Sequence, residues 1–138
     1  MDIQFDPGII TGVLSKFEEI AFSYLFGSSE KGIIKEFSDL DVAIYLSQHE
    51  EDLETRLGIA KALEEALPEV KVIDLVILNH VGPVLGMQVL RGTLLFVRDD
   101  FEMLHAEIYS RICRLYEYDS FWMKKQLEYR GYEVQWSD

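Results

Sequence analysis

Apolar positions follow a helical period over residues 8–21, where they recur every three or four residues while Glu18 and Glu19 fall on the other side. This pattern predicts an amphipathic helix. Residues 22–26 are short and aromatic and end at Gly27, which predicts a buried strand running into a tight turn. Residues 41–46 predict a second strand, and a charged helix follows from about 50 to 67, where Pro68 closes it.

The second half of the chain continues this alternation of strands and helices. Residues 72–78 are almost continuously apolar, which predicts a strand buried on both faces in the middle of a sheet. A helix over 81–90, a strand over 93–98 and a long amphipathic helix that starts after Asp99 and Asp100 complete the pattern. We therefore expect an α/β (α+β) fold over residues 1–138, as a single domain with a mixed sheet of about four strands, flanking helices and a long C-terminal helix.

Composition and charge narrow the possible partners. The chain has 138 residues and 49% apolar residues, without an apolar run of membrane-spanning length. Its acidic N-terminus and single Cys113 favour a cytoplasmic protein. A formal charge of -12, from 25 acids and 13 bases, disfavours direct binding to nucleic acid and favours a basic protein partner. A homo-oligomer or a hetero-oligomer is compatible with this surface.

A glycine-serine pair ends the first predicted strand. Gly27 lacks a Cβ, so the backbone can turn sharply and approach a ligand, and the Ser28 hydroxyl can donate a hydrogen bond to a phosphate oxygen. Taken alone, such a pair is more often an ordinary turn. It becomes informative together with the carboxylates that follow.

Two carboxylates stand ten residues after this pair, at the entry to the second strand. Asp39 and Asp41 are two positions apart, so their side chains point to the same face of the strand. Because adjacent carboxylates repel, a cation between them is favourable, and Mg²⁺ binds to carboxylates, waters and substrate phosphates. An isolated pair of this kind is more simply an exposed polar strand entry.

Asp74 interrupts the apolar third strand. An unpaired carboxylate buried there would cost several kcal/mol, so we expect it to be paired, hydrogen-bonded, protonated or bound to a metal. If its strand lies beside that of Asp39 and Asp41, three carboxylates converge and can hold two metal ions about 3.5 to 4 Å apart for displacement at a triphosphate. The alternative is a strand-end residue that caps a turn or pairs with Lys71.

Three separated segments together resemble the nucleotidyltransferase superfamily of the DNA polymerase β type, and in particular the minimal nucleotidyltransferases that act as antitoxins (MNT type). The segments are Phe26-Gly27-Ser28, Ser38-Asp39-Leu40-Asp41-Val42-Ala43 and Ile73-Asp74-Leu75-Val76. The resemblance implies a nucleotidyltransferase fold and an enzyme that uses Mg²⁺ and ATP. It further implies transfer of AMP to a tyrosine hydroxyl of a HEPN-domain ribonuclease toxin, which neutralises the toxin.

The resemblance also implies a role for each motif residue. Gly27 and Ser28 would hold the triphosphate, while Asp39, Asp41 and Asp74 would ligate two Mg²⁺ ions and carry the catalysis. Lys31 stands where the family often has an arginine, and it would contact phosphate as a point charge without the bidentate fork of arginine.

Two other functions remain open at this stage. The chain could bind and neutralise a partner by occlusion without catalysis, or it could transfer a nucleotide to a small molecule of the aminoglycoside type. The C-terminal aromatic residues could form a partner surface or stack on adenine, although packing within the protein is the favoured interpretation. These residues are Tyr116, Tyr118, Phe121, Trp122, Tyr129, Tyr132 and Trp136.

Overall fold

A computed structural model of the chain describes residues 3–27, 33–34, 39–48 and 53–131. Its strands are β1 (Ile3–Gln4), β2 (Ile20–Phe26), β3 (Ile33–Ile34), β4 (Leu40–Leu46), β5 (Ile73–Ile77) and β6 (Thr93–Val97). Its helices are α1 (Pro7–Leu14), α2 (Leu53–Ala66), α3 (Pro83–Leu90) and α4 (Glu102–Tyr129). Short 3-10 turns at Leu78–His80 and Asp99–Phe101 precede α3 and α4.

Four strands form one mixed sheet in the order β5-β4-β2-β6. Strand β2 is antiparallel to both β4 and β6, whereas β4 and β5 are parallel. This arrangement confirms the expected mixed sheet with flanking helices. A separate antiparallel pair joins β1 to β3. With two residues in each strand, this pair is too short to give a hydrophobic pattern in the sequence.

Helices cover both faces of the sheet. On one face, α1 and α2 bury Ile10, Leu14, Ile59 and Leu63 against the inner side chains of β2, β4 and β5. On the other face, α3 and α4 pack on a second cluster of buried side chains, which contains Ala21, Phe22, Tyr24, Phe26, Ala43, Leu78, Val89, Leu90, Ile108 and Ile112. The alternation along β4 sends Leu40 and Val42 to the first face and Ala43 to the second.

Helix α1 is shorter than the predicted helix over residues 8–21, because it ends at Leu14 and β2 already begins at Ile20. The Arg98 guanidinium holds the intervening turn, with Nε donating to the carbonyl of Ile20 at 2.6 Å and an Nη donating to the carbonyl of Phe17 at 2.6 Å. A distant side chain therefore stabilises the turn between α1 and β2, a contact that local sequence could not show.

Strand β5 lies at the edge of the sheet, so the prediction of a central strand buried on both faces is wrong. Leu75 and Ile77 are buried, but Val72 is 51% exposed and Asp74 is exposed. The sequence-based argument that Asp74 is a buried carboxylate is therefore wrong as well. Val72 directly precedes β5 and Asp74 is its second residue, so both lie at the exposed N-terminal end of this edge strand.

The long C-terminal helix is confirmed, but most of it is uncovered. In α4 only Ile108 and Ile112 are buried. Further along the helix, Tyr118, Phe121 and Trp122 are about half exposed and Tyr129 is almost fully exposed. Internal packing is thus the wrong interpretation for these four aromatic side chains, while Tyr132 and Trp136 lie outside the described residues. None of the described helices combines the length and apolar character that crossing a membrane requires.

Candidate active site

A cavity of about 600 Å³ opens at the end of the sheet where β2 ends and β4 and β5 begin. This volume is within the range of small-ligand sites, roughly 300 to 1,000 Å³. The sheet supplies one side of the cavity and α3 with its C-terminal turn supplies the other. The lining residues are Phe26, Gly27, Asp41, Asp74, Val76, Leu85, Gln88, Arg91 and Gly92.

Asp41 and Asp74 meet in this cavity because their strands are parallel neighbours. The two residues are register partners in the β4–β5 pair, so their side chains leave the sheet side by side. On the other flank of β4, Phe26 is the register partner of Asp41. The topology thus places two of the three sequence-predicted carboxylates next to each other, with Asp41 directly beside the end of β2.

The electrostatics of the pair favour a bound cation. Partial burial raises the pKa of the Asp41 carboxyl above its usual range, and the neighbouring negative charges of Asp74 and Asp39 raise it further. A cation between the carboxylates would offset this repulsion. Their oxygens are hard ligands of the kind that Mg²⁺ takes, usually one or two carboxylates completed by waters and phosphates. The donor set therefore fits a magnesium site.

Asp39 occupies a different position from the other two carboxylates. It is exposed, directly precedes β4 and is not part of the cavity wall, although its charge acts on Asp41. Among the described residues, no three His, Cys, Asp or Glu side chains are close enough to enclose a metal ion together. A three-carboxylate metal site thus remains a prediction, and Asp41 with Asp74 is the part that the fold brings together.

Gly27 is required next to Asp41 for two reasons. Its φ of +76° lies in the left-handed region, which side chains with a Cβ rarely adopt. A Cβ at this position would also collide with the Asp41 carboxylate. The glycine therefore both turns the chain at the end of β2 and leaves space for a carboxylate. Ser28 and Lys31, the other two predicted nucleotide-binding residues, lie outside the described residues.

Three cavity residues on or just after α3 were not among the predicted site residues. Leu85, Gln88 and Arg91 follow one another at intervals of three and line the wall opposite the carboxylates. Gly92 allows this wall to lie close to the sheet, because a Cβ there would collide with the backbone of Leu25 and Phe26. Nothing in the local sequence marks these residues beyond a basic residue and a glycine at the end of a helix. Only the return of α3 over the sheet places them here.

Among the described histidines, His105 has a buried partner and contributes to the core rather than to the cavity. The Tyr24 hydroxyl and Nε2 of His105 form a hydrogen bond of 2.7 Å. Burial lowers the pKa of His105, which favours its neutral ring. No histidine is among the described residues that line the cavity.

Comparisons with known proteins agree with this architecture. The family model "Polymerase beta, Nucleotidyltransferase" matches residues 9–101, a span that includes β2, β4, β5 and α3. A search of curated protein sequences gave no significant match.

Several solved structures share the fold at low sequence identity. One is a chain of the toxin–antitoxin complex MntA–HpeT that carries a double Asp-to-Glu substitution (TM-score 0.67, 21% identity, covering 90% of this chain and 93% of that one). Another is a chain of a toxin–antitoxin complex with AMP-PNP (TM-score 0.67, 23% identity, covering 90% and 94%). A third comes from a tri-AMPylated Shewanella oneidensis HEPN toxin in complex with MNT antitoxin (TM-score 0.59, 21% identity, covering 89% and 93%).

Proposed function

Because the chain belongs to the polymerase beta nucleotidyltransferase family, we propose that it is an antitoxin that transfers AMP from ATP to a tyrosine hydroxyl of a HEPN-domain toxin. The observation that carries this proposal is the pairing of Asp41 with Asp74 in a cavity bounded by the left-handed Gly27. These residues all lie within the span that the family model matches.

Each predicted site residue has a role in this reaction. Asp39, Asp41 and Asp74 would hold Mg²⁺, and Gly27 leaves room for a nucleotide at the end of β2. Ser28 and Lys31 would contact the triphosphate. When bound, Mg²⁺ supplies neutralisation of the triphosphate and a lower pKa for the attacking hydroxyl. The tyrosine oxygen would form a bond to the α-phosphorus, the bond to the pyrophosphate oxygen would break, and Asp74 would accept the hydroxyl proton.

Two features of the chain support a protein as the acceptor. The net charge of -12 favours a basic partner, and α4 leaves Tyr118, Phe121 and Trp122 half exposed. Exposed aromatic clusters of this kind are typical of protein interfaces. The solved complexes of similar fold, one with AMP-PNP and one with a tri-AMPylated HEPN toxin, make such a toxin the natural candidate.

The proposal predicts that a HEPN protein is encoded beside this chain, and that protein is the substrate for the test. Toxin purified after co-expression with the wild-type protein should carry AMP on tyrosine, as peptide mass spectrometry would detect. Co-expression with Asp41→Asn or Asp74→Asn should give unmodified, active ribonuclease. Exposed Glu65→Gln on α2, which removes one charge far from the cavity, is the control and should leave the modification intact.

Neutralisation of the toxin by occlusion is the second candidate function. The exposed aromatic surface of α4 favours it, because such a surface can form a stable complex with a partner. The same variants separate the two functions. Occlusion predicts that Asp41→Asn and Asp74→Asn protect fully and that the toxin stays unmodified. Catalysis predicts loss of protection in both.

A further inference from the structure

Arg91 carries the one positive charge among the described residues that line the cavity. It lies on the α3 side, across the cavity from Asp41 and Asp74. Within the described part of the chain it forms no ion pair with either carboxylate. The cavity lining therefore combines two carboxylate residues with one arginine, and within the described residues the arginine does not pair with either carboxylate.

The position of Arg91 is fixed at both ends of the residue. It is the C-cap of α3, where its backbone N–H donates to the carbonyl of Met87, and the N–H of the adjacent Gly92 donates to the carbonyl of Val89. The adjacent Gly92 has no Cβ and therefore allows this turn to contact the end of β2. At the other end, the guanidinium lies over the ring of Tyr116 on α4, 5.6 Å from the ring centroid. Arg91 is exposed to solvent, and stacking on Tyr116 restricts its guanidinium at the edge of the cavity.

We propose that Arg91 binds the phosphates of the nucleotide on the wall opposite the carboxylates, with Tyr116 as its positioning residue. The inference rests on the proposed nucleotide site. A metal-bound polyphosphate presents its metal to carboxylates and its remaining anionic oxygens to a cation, which matches the two sides of this cavity. The planar guanidinium can donate two parallel hydrogen bonds to one phosphate, and stacking on an aromatic ring leaves its edge available for them.

The first alternative is a purely structural role for Arg91, since a cation at a helix C-terminus also interacts favourably with the helix dipole. Such a role would change thermal stability without affecting ligand binding. Stacking of Arg91 on the adenine base is a second alternative. It would weaken the binding of nucleosides and nucleotides alike.

Calorimetric titration in Mg²⁺ with AMP-PNP, AMP, adenosine and tripolyphosphate distinguishes these roles. Arg91→Ala should weaken AMP-PNP and tripolyphosphate binding by roughly 10- to 100-fold, the effect of losing a charged hydrogen bond, with little change for adenosine. Arg91→Lys should recover part of the affinity. Tyr116→Leu should weaken AMP-PNP binding by a smaller factor. Tyr116→Phe keeps the aromatic ring and should bind AMP-PNP like the wild type. Arg114→Ala on the exposed part of α4 removes the same charge and should bind like the wild type.

Unchanged AMP-PNP affinity in Arg91→Ala would overturn the inference, and so would an equal loss for adenosine. Thermal unfolding of each variant identifies any general loss of structure, and Arg91→Lys keeps the test valid if the alanine variant is unstable. If the wild type itself bound no AMP-PNP, the proposed function would fail together with the inference. Wild-type binding with an unchanged variant would overturn the inference alone.

Discussion

Asp41 on β4 and Asp74 on β5 are register partners across a parallel strand pair, and both side chains enter the same cavity. Burial of Asp41 and the charge of Asp74 together raise the pKa of the Asp41 carboxyl. The free protein therefore contains an unfavourable arrangement of charge at the position where the proposed function needs a metal. Active sites often lower the stability of the folded protein in this way when activity requires the arrangement.

Replacement of Asp41 by asparagine should stabilise the metal-free protein. Because the folded-state pKa is raised, the folded protein binds more protons than the unfolded chain in the window above pH 3.8, and stability falls as pH rises through that window. Asp41→Asn removes this penalty, so its melting temperature near pH 7 should exceed that of the wild type by a few degrees. Addition of Mg²⁺ and AMP-PNP should raise the wild-type value and leave the variant unchanged. Equal Mg²⁺-dependent stabilisation of both proteins would exclude Asp41 as a ligand.

Gly27→Ala should disrupt both the fold and the site. The left-handed backbone alone costs about 1 to 2 kcal/mol for alanine, and the new Cβ would displace the Asp41 carboxylate. We expect a loss of about 1 to 3 kcal/mol in urea unfolding together with loss of detectable AMP-PNP binding. The matched control is Gly58→Ala in the exposed interior of α2, where a Cβ meets no atom within 4 Å. It should stabilise the protein by up to about 1 kcal/mol and should not change nucleotide binding.

The Tyr24 hydroxyl should make the stability of the protein depend on pH in the alkaline range. Burial, together with the neighbouring Tyr109 and Cys113, raises the pKa of Tyr24 from 10.0 to about 12. The unfolded chain therefore loses this proton at a lower pH than the folded protein, and the stability that Tyr24 contributes is lost as pH rises from 10 to 12. Tyr24→Phe should be less stable than the wild type by about 1 kcal/mol at pH 8, because the hydrogen bond to His105 is gone.

This difference between Tyr24→Phe and the wild type should shrink, and can reverse in sign, towards pH 12. Urea unfolding curves at several alkaline pH values measure it directly. Tyr129→Phe is the control, since Tyr129 is 94% exposed and should behave like the wild type at every pH. A constant difference between Tyr24→Phe and the wild type across the range would contradict the assignment.

The exposed aromatic face of α4 should contribute to partner binding without affecting the nucleotide. Trp122→Ala should weaken the complex with the HEPN toxin by at least about 10-fold, the loss typical of a buried aromatic anchor. Its AMP-PNP affinity should equal that of the wild type. Met103→Ala removes another highly exposed apolar side chain, at the opposite end of α4, and serves as the control. If both variants bound the toxin equally well, another surface of the chain would have to form the interface.

Sequence patterns predicted much of this fold because most elements carry a strong local signal. The apolar alternation gave β4, β6 and the long α4, and Gly27 and Asp41 were identified from chemistry that depends on residue type. The edge position of β5 was missed, since an apolar run does not reveal how many neighbours a strand has. The turn after α1 is bound by Arg98, which lies 83 positions beyond Ser15 in the chain.

The cavity wall was missed for the same physical reason. Gln88 and Arg91 enter the site only because α3 folds back over the sheet and Gly92 allows close contact with β2. Local patterns report periodicity and turn chemistry, whereas the partners of an element depend on topology. Sequence reasoning therefore predicted Asp41 and Asp74, which the fold brings together, but not the residues on the α3 side of the cavity.

The central claim is AMP transfer, and the position of the label in ATP tests it most directly. Purified protein, Mg²⁺ and the neighbouring HEPN toxin are incubated with ATP labelled at the α-phosphate or, in parallel, at the γ-phosphate. We predict that the α-label enters the toxin, that the γ-label leaves as pyrophosphate, and that Asp74→Asn transfers neither. Incorporation of the γ-label, or of no label while the toxin is still neutralised, would contradict the proposed function.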